Sequence, residues 1–425
     1  MADQPPSVSS PALQVLIERG FFEQASDLAV IDAAMQAGMV TFYNGYDPTA
    51  DSLHAGSLLT IMAMRHLQRA GHRPIVLMGG ATAMVGDPSG RSETRKLVEL
   101  ETIERNCEAI QRQFARFVHF DEGTANDAIM VDNSRWLMGL GYIEFLRDIG
   151  RHFSVNRMVA AKTYRDRLES ELPLSFLEFN YQLLQAYDFL HLKREEGCDL
   201  QVGGSDQWGN MIAGVELIRR VAAEQGESTG AYCLTYPLLT TADGNKMGKT
   251  FKGAVWLDPD KFSPFDYYQY WINCHDRDVE GLLRYFTELP IEEINGLANR
   301  EGRALNEAKA VLAFEATKML HGEDEAGRAR TASVQAFGGG DDWSAVDCVE
   351  IAESEIRLLD LVVHDQVVGF KSKREARERI KSGAVKLDGE VVTEAMENID
   401  AARCGGEGLR LQIGRKRRVR VKLVG

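Results

Sequence analysis

Between Gly38 and Gly90 the spacing of apolar positions changes twice. Residues 39–43 (Met-Val-Thr-Phe-Tyr) form a short apolar and β-branched run. Residues 53–70 repeat apolar side chains at helical spacing, and residues 74–78 (Pro-Ile-Val-Leu-Met) form a second run that ends at two glycines. Strand, turn, amphipathic helix and strand in that order predict a βαβ unit that opens a parallel sheet. Helical spacing returns over 102–117, 178–190 and 209–223, and apolar runs at 129–131 and 200–202 predict further strands. An α/β domain over 1–258 is therefore expected. From 259 to 336 helical patterns dominate, which predicts a small all-α domain. Residues 337–357 open on Phe337-Gly-Gly-Gly-Asp-Asp-Trp343 and read as a linker. Residues 358–425 predict an α+β module with a basic helix over 373–381, a turn at 386–390 and a basic strand over 415–424.

The chain has 425 residues and 44% hydrophobic content, enough for roughly two or three cores. No run of eighteen apolar residues occurs, which excludes a membrane-spanning helix. Residues 1–11 are rich in Pro, Ser and Gln, without the apolar core or early arginines of a leader, so a cytoplasmic location is expected. The six cysteines are scattered, with no Cys-x-x-Cys pair and no nearby histidine at zinc-site spacing. Reduced thiols and no protein-bound metal are expected. The net charge of −14 argues against a general nucleic-acid coat. Its distribution changes that reading for one end. From Lys371 onward there are 15 Lys and Arg against 8 Asp and Glu, a surplus of +7, which leaves −21 for the rest.

Five segments carry candidate chemistry. The first contains Tyr43, Asp47-Pro48-Thr49 and His54-Ala-Gly-Ser57, where a strand ends and a helix begins. Free N–H groups at a helix start and the close approach that Gly56 permits suit phosphate, although Asp47-Pro48-Thr49 also fits a plain turn and cap. The second, from Gly79 through Asp87 to Arg91 and Arg95, is a Gly-rich loop. It could hold a polyphosphate at its basic end and a cation at Asp87, or lie solvated on the surface. The third places Tyr181, Gln185 and Asp188 on one helix face, lining either a pocket or solvent. The fourth, Gln201-Val-Gly-Gly-Ser-Asp-Gln207-Trp-Gly-Asn210, ends a strand with Gly204, Asp206 and Gln207 suited to ribose hydroxyls. The fifth, Asp243-Gly-Asn-Lys246-Met-Gly-Lys249-Thr250, offers two lysines on a Gly-containing loop able to close over phosphates.

In this order the segments resemble the class I aminoacyl-tRNA synthetases, whose signatures HIGH and KMSKS appear here as His54-Ala-Gly-Ser57 and Lys246-Met-Gly-Lys249-Thr250. Gly86-Asp-Pro-Ser-Gly90, the Tyr181/Gln185/Asp188 face and Gly203-Gly-Ser-Asp-Gln-Trp-Gly209 are similar to the bacterial tyrosyl branch, from about Phe21 to the C-terminus. The resemblance implies a Rossmann-like catalytic domain over 1–258, including the loop 243–250. A helical domain that contacts the anticodon region of tRNA and a C-terminal RNA-binding module of the ribosomal-protein type would follow.

It also implies roles. Tyr43 and Asp188 would bind the substrate phenol, and Asp87, Tyr181 and Gln185 its ammonium group. Gln207 would complete the tyrosine site. Asp47, Thr49, His54, Gly56, Ser57, Gly204 and Asp206 would hold ATP, and Arg91, Arg95, Lys246, Lys249 and Thr250 would grip pyrophosphate. Lys373, Arg374, Arg377, Lys381 and Lys386 would face RNA. ATP with Mg2+, L-tyrosine and tRNA(Tyr) are the implied partners, and a homodimer the implied assembly. Three positions depart from the pattern: Ser57 replaces the second HIGH histidine, Asn44 a frequent cysteine and Arg91 a frequent lysine. The competing readings are a tryptophanyl enzyme, which usually lacks such a tail, and an RNA-binding protein that keeps the fold only as a scaffold.

Overall fold

The computed structural model describes residues 6–89, 100–240, 247–250, 253–300, 302–337, 343, 346–367, 369–370, 372–404, 408–414 and 417–424. Leu100, Lys249, Thr250, Arg303 and Phe337 are described by backbone alone. The chain divides into two compact units, Met1–Glu323 and Asp324–Gly425. No helix among the described residues is long and apolar enough to cross a membrane.

The first unit is built on six strands: β1 (Gln24–Ala25), β2 (Thr41–Tyr46), β3 (Arg73–Met78), β4 (Ile129–Asp132), β5 (Leu200–Gly204) and β6 (Tyr232–Tyr236). Their order is β1-β6-β5-β2-β3-β4. The edge strand β1 runs antiparallel to β6 and every other neighbouring pair is parallel. Consecutive residues Phe42 and Tyr43 point to opposite faces of β2, yet both are fully buried, because helices cover a parallel sheet on both sides. The chain builds β3 and β4 on one side of β2, then returns to place β5 and β6 on the other. The order therefore reverses between β2 and β5, and open α/β sheets have their ligand crevice beyond the strand ends at such a point.

Two helices wall this crevice. The helix Phe176–Glu196 begins in a capping box, with Glu178 N donating to Ser175 Oγ at 3.1 Å and Ser175 N to Glu178 Oε2 at 3.0 Å. It ends at Gly197, whose φ of 63° suits glycine. Arg167 also reaches Glu178, at 3.0 Å, with both side chains buried. The helix Trp208–Glu224 starts directly after β5 and packs on the first. Tyr43, Leu77, Ala186, Phe189, Leu190 and Leu217 belong to the core cluster beneath them. The predicted helix over 53–70 begins later than expected. Residues Ala55–Ser57 form a single 3-10 turn capped by the His54 ring, and the α-helix runs over Leu58–Arg69. A short hairpin, β7 (Lys249–Thr250) and β8 (Gly253–Ala254), precedes the helices Pro264–Ile272, Val279–Phe286, Ile291–Ala298 and Arg303–His321.

In the second unit, β9 (Cys348–Ile351), β11 (Val385–Leu387), β12 (Glu390–Val392), β14 (Leu409–Ile413) and β15 (Arg417–Leu423) form a sheet in the order β12-β11-β14-β15-β9. The strands β10 (Glu355–Arg357) and β13 (Asn398–Asp400) pair separately. The sheet and the helix Lys373–Lys381 enclose Leu361, Ile380, Val385, Leu411 and Val421. Asp388 and Gly389, both at positive φ, make the two-residue turn between β11 and β12. The stretch 337–357 contributes β9, parallel to β15, and β10. Trp343 within it is buried with Ala336 and Val346, and the Arg418 guanidinium sits 5.3 Å from its ring.

Candidate active site

The crevice is polar at its floor. Tyr43 on β2 and Asp188 on the 176–196 helix are 1% and 2% exposed. Each Asp188 oxygen accepts one hydrogen bond, from Asn133 Nδ2 at 2.9 Å and Trp136 Nε1 at 2.8 Å. Burial nevertheless pushes this carboxyl up to about 7, with Asp132 adding to the shift and the two donors opposing it. Burial and the nearby Asp188 charge also hold the Tyr43 hydroxyl well above its ordinary value, so it stays protonated. Among the described residues Tyr43 Oη has no hydrogen-bond partner, and neither does Oε1 of buried Gln201, which faces Tyr43 across the β2–β5 ladder. Buried polar atoms are almost always paired. Two orphans beside a buried carboxylate mark a place where a ligand's own donor and acceptor complete the bonding.

Toward the rim lies a network of amides and one acid. Asp87 accepts from Gln207 Nε2 at 2.7 Å and from Ser89 N at 2.9 Å. Asn210 Nδ2 reaches Gln185 Oε1 at 3.1 Å, and Gln207 Oε1 and Ser89 Oγ at 3.4 Å. Burial raises the Asp87 carboxyl, and nearby Asp47 raises it further. Tyr181 is buried on the same helix face as Gln185 and Asp188, so this face lines the crevice rather than solvent. A cation placed here would relieve the paired acids.

The glycines locate a second compartment beyond the ends of β2 and β3. A methyl group on Gly79 would come within 2.9 Å of Asp47 Oδ1, and one on Gly204 within 2.6 Å of Asp206 Oδ1. Thr49 is exposed on the loop after β2, which buried Asn106 pins by donating to Pro48 O at 2.8 Å. His54 Nδ1 accepts from Gly56 N at 3.0 Å, which aims the Ala55–Ser57 turn. Ser57 makes no side-chain cap of the helix that follows. The first and fifth segments meet here, since a methyl group on Gly248 would stand 2.4 Å from Gly56 N and one on Gly56 3.1 Å from Met247 O. Gly248 is thus what lets backbone pass backbone, while Gly56 leaves room for the His54 ring. Lys246, Arg91 and Arg95 lie outside the described residues, as do the side chains of Lys249 and Thr250.

Residues 35–338 match the family model described as class I tRNA synthetases of the tryptophan and tyrosine type. Residues 341–417 match the model of a tyrosine–tRNA ligase C-terminal domain. The tyrosine–tRNA ligase of Caldanaerobacter subterraneus subsp. tengcongensis is 50% identical over 390 residues, covering 91% of this chain and 92% of that one. The chain belongs to the tyrosine–tRNA ligase family. The Zymomonas mobilis ligase is 48% identical over 407 residues, 96% of this chain and 97% of its own. Among solved structures, a C-terminally truncated Aspergillus nidulans mitochondrial tyrosyl-tRNA synthetase superposes with a TM-score of 0.68 at 30% identity, covering 77% of this chain and 94% of that one.

Several residues of this ligase's crevice carry no role in the sequence reading. Asn133 and Trp136 orient Asp188, Gln201 faces Tyr43, and Asn210 ties the rim network together. Asn133 and Trp136 follow β4, and polar residues just past the end of a parallel strand were the available signal. Beside the crevice a groove of about 1170 Å³ passes Pro88, Gln182 and Asp206 and is bordered by Arg157, Lys162 and Arg220. In the second unit Lys373, Arg374, Arg377, Lys381 and Lys386 are all exposed, while the same helix buries only Ala376 and Ile380. Lys373 pairs with Asp360 at 2.6 Å and Arg374 with Glu378 at 3.8 Å, surface contacts that a phosphate can displace.

Proposed function

We propose that this aminoacyl-tRNA ligase reads tyrosine at the Tyr43/Asp188 floor and activates it with ATP in the adjoining glycine-lined compartment. The observation that carries the reading is the unpartnered, buried Tyr43 hydroxyl beside the buried Asp188 carboxylate. A phenol entering there donates to Asp188 and accepts from Tyr43. Phenylalanine would leave the buried Tyr43 hydroxyl unpaired, at about 1–3 kcal/mol, and would bring Asp188 no donor beyond Asn133 and Trp136; tyrosyl enzymes are themselves the standing illustration of such rejection. Asp87, with Tyr181, Gln185 and Gln207 around it, receives the ammonium group.

No protein nucleophile is needed. The tyrosine carboxylate attacks the α-phosphorus in line, a P–O bond forms, and the bond to the bridging oxygen breaks as pyrophosphate departs with the electron pair. The chain's contribution is position and charge stabilisation. Asp47, Thr49, His54, Gly56, Ser57, Gly204 and Asp206 hold the nucleotide. Arg91, Arg95, Lys246, Lys249 and Thr250 meet the departing phosphates, whose Mg2+ arrives with ATP as part of the substrate. The acyl group then passes from the adenylate to the 3′-terminal ribose of tRNA(Tyr). Support for RNA docking comes from the exposed cations of the Lys373–Lys381 helix with Lys386. A homodimer fits as well, since the large apolar side chains Tyr142, Ile143, Val155 and Phe176 are 62–69% exposed and would be covered by a second copy. Sedimentation as a monomer at micromolar concentration would refute the dimer.

Tyrosine-dependent exchange of labelled pyrophosphate into ATP tests the central reading. Folded protein that binds neither tyrosine nor ATP and supports no exchange would leave only the scaffold reading.

A further inference from the structure

The fifth segment is anchored from a helix that no motif includes. Gly248 sits with φ +92° between Met247 and Lys249, its Cα face against the Gly56 backbone. Its carbonyl accepts from Val255 N at 3.0 Å, and Met247 N donates to Leu239 O at 3.1 Å. The Gly248 N–H is held from outside the loop, since it donates to the hydroxyl of Tyr270 at 3.3 Å. Tyr270 lies on the helix Pro264–Ile272, and its ring is packed edge-on against buried Trp271 at 5.0 Å. A long lever is thus fixed at its base and carries a single polar atom at its tip.

We propose that Tyr270 is a positioning residue for adenylate formation: its hydroxyl fixes the Gly248 peptide against His54 and Gly56, and so sets where the chain delivers Lys249. The role rests on the reading of Lys249 as a group that meets the departing phosphates. It goes beyond that reading because Tyr270 lies in no signature and is not among the residues proposed to hold either substrate. The geometry is economical. The N–H bound by Tyr270 belongs to the Met247–Gly248 peptide and the carbonyl bound by Val255 to the Gly248–Lys249 peptide, so the two bonds hold the peptide planes on either side of the Gly248 Cα. Peptide rotation at Gly248 would swing the following residue while leaving the tyrosine crevice untouched, since Tyr43, Asp188, Asp87 and Asn210 make no contact with this helix in any bond described above. The consequence is therefore confined to the chemical step.

Tyr270→Phe removes the one polar atom and keeps the packed ring. Turnover in tyrosine-dependent pyrophosphate exchange is expected to fall by about three- to tenfold, the worth of one hydrogen bond. The KM for tyrosine and the affinity for tyrosine without ATP should stay at the wild-type value. The decisive arm is a double-mutant cycle with Lys249→Ala. If Tyr270 acts through the delivery of Lys249, then Tyr270→Phe costs nothing further once Lys249 is gone. Undiminished exchange in Tyr270→Phe, or a loss that multiplies fully with that of Lys249→Ala, overturns the role. So does a parallel loss of tyrosine affinity, which would mark a general structural effect. Absence of exchange in the wild type would sink the functional reading itself, a result distinct from normal exchange that ignores Tyr270.

Discussion

In the site we propose, Asp188 ties substrate choice to pH. Burial pushes its carboxyl up to about 7, because it penalises the charge more than Asn133 and Trp136 relieve it. A tyrosine phenol donates to the ionised form, so binding selects ionised Asp188 and the apparent affinity falls as protons compete. At about pH 8 roughly nine-tenths of the molecules are already ionised, and at about pH 6 roughly one-tenth are. Tyrosine affinity should therefore weaken by about tenfold across that interval, about 1.4 kcal/mol. Other groups titrate nearby. Asp87 is also shifted upward, and in the proposed site its charge serves the ammonium group. That term is common to every amino acid, so the ratio of phenylalanine to tyrosine dissociation constants removes it. His191, stacked on Trp136 at 4.2 Å, is held below its ordinary value by burial.

The assay is equilibrium binding of both amino acids by calorimetry at several pH values, with Asp188→Asn alongside. Selectivity of the wild type should rise with pH by about tenfold and level off above neutrality. The Asn variant should show a low ratio without slope. A wild-type ratio that stays flat between about pH 6 and pH 8 would refute the assignment of the phenol to Asp188.

Three further outcomes follow from particular contacts. Asn210→Ala removes the amide joining Gln185, Gln207 and Ser89, and should weaken tyrosine and phenylalanine equally by about 1–3 kcal/mol, so a change in their ratio would place Asn210 at the wrong end of the substrate. Glu178→Ala leaves buried Arg167 without its carboxylate and opens the capping box, so urea unfolding should show a loss of about 3–5 kcal/mol, and a loss under about 1 kcal/mol would contradict the buried pair. Ending the chain after Glu323 removes the second unit whole and should spare pyrophosphate exchange while abolishing tRNA charging. A cut ahead of Leu358 instead strands β9 without β15, and equal loss of exchange and charging from the cut after Glu323 would deny the second unit a separate docking role.

What could be read from the sequence depended on whether the signal was local. The strands β2 and β3, the capped helix Phe176–Glu196 and the helix Lys373–Lys381 announce themselves through spacing, because each is specified by residues within one turn or one pleat of each other. The face carrying Tyr181, Gln185 and Asp188 could be placed on a helix, but not turned inward, since whether polar residues line a pocket depends on strands more than a hundred residues away. The same limit hid Asn133, Trp136 and Gln201. Each is an unremarkable polar or aromatic residue until the sheet order sets β4 and β5 on either side of the β2–β3 pair and brings all three to the floor of one crevice. Gly56 shows the converse. Its presence in a signature pointed to close approach by a ligand, whereas the atoms nearest a methyl group there belong to His54 and to Met247. Gly56 and Gly248 serve contact between two segments nearly two hundred residues apart, and that contact sets Met247 and Gly248 against the turn that starts at His54. Motifs far apart in a chain are thus joined by a steric requirement that neither motif states alone, and substitutions on the anchoring helix, far from both signatures, should be felt first in the rate of activation.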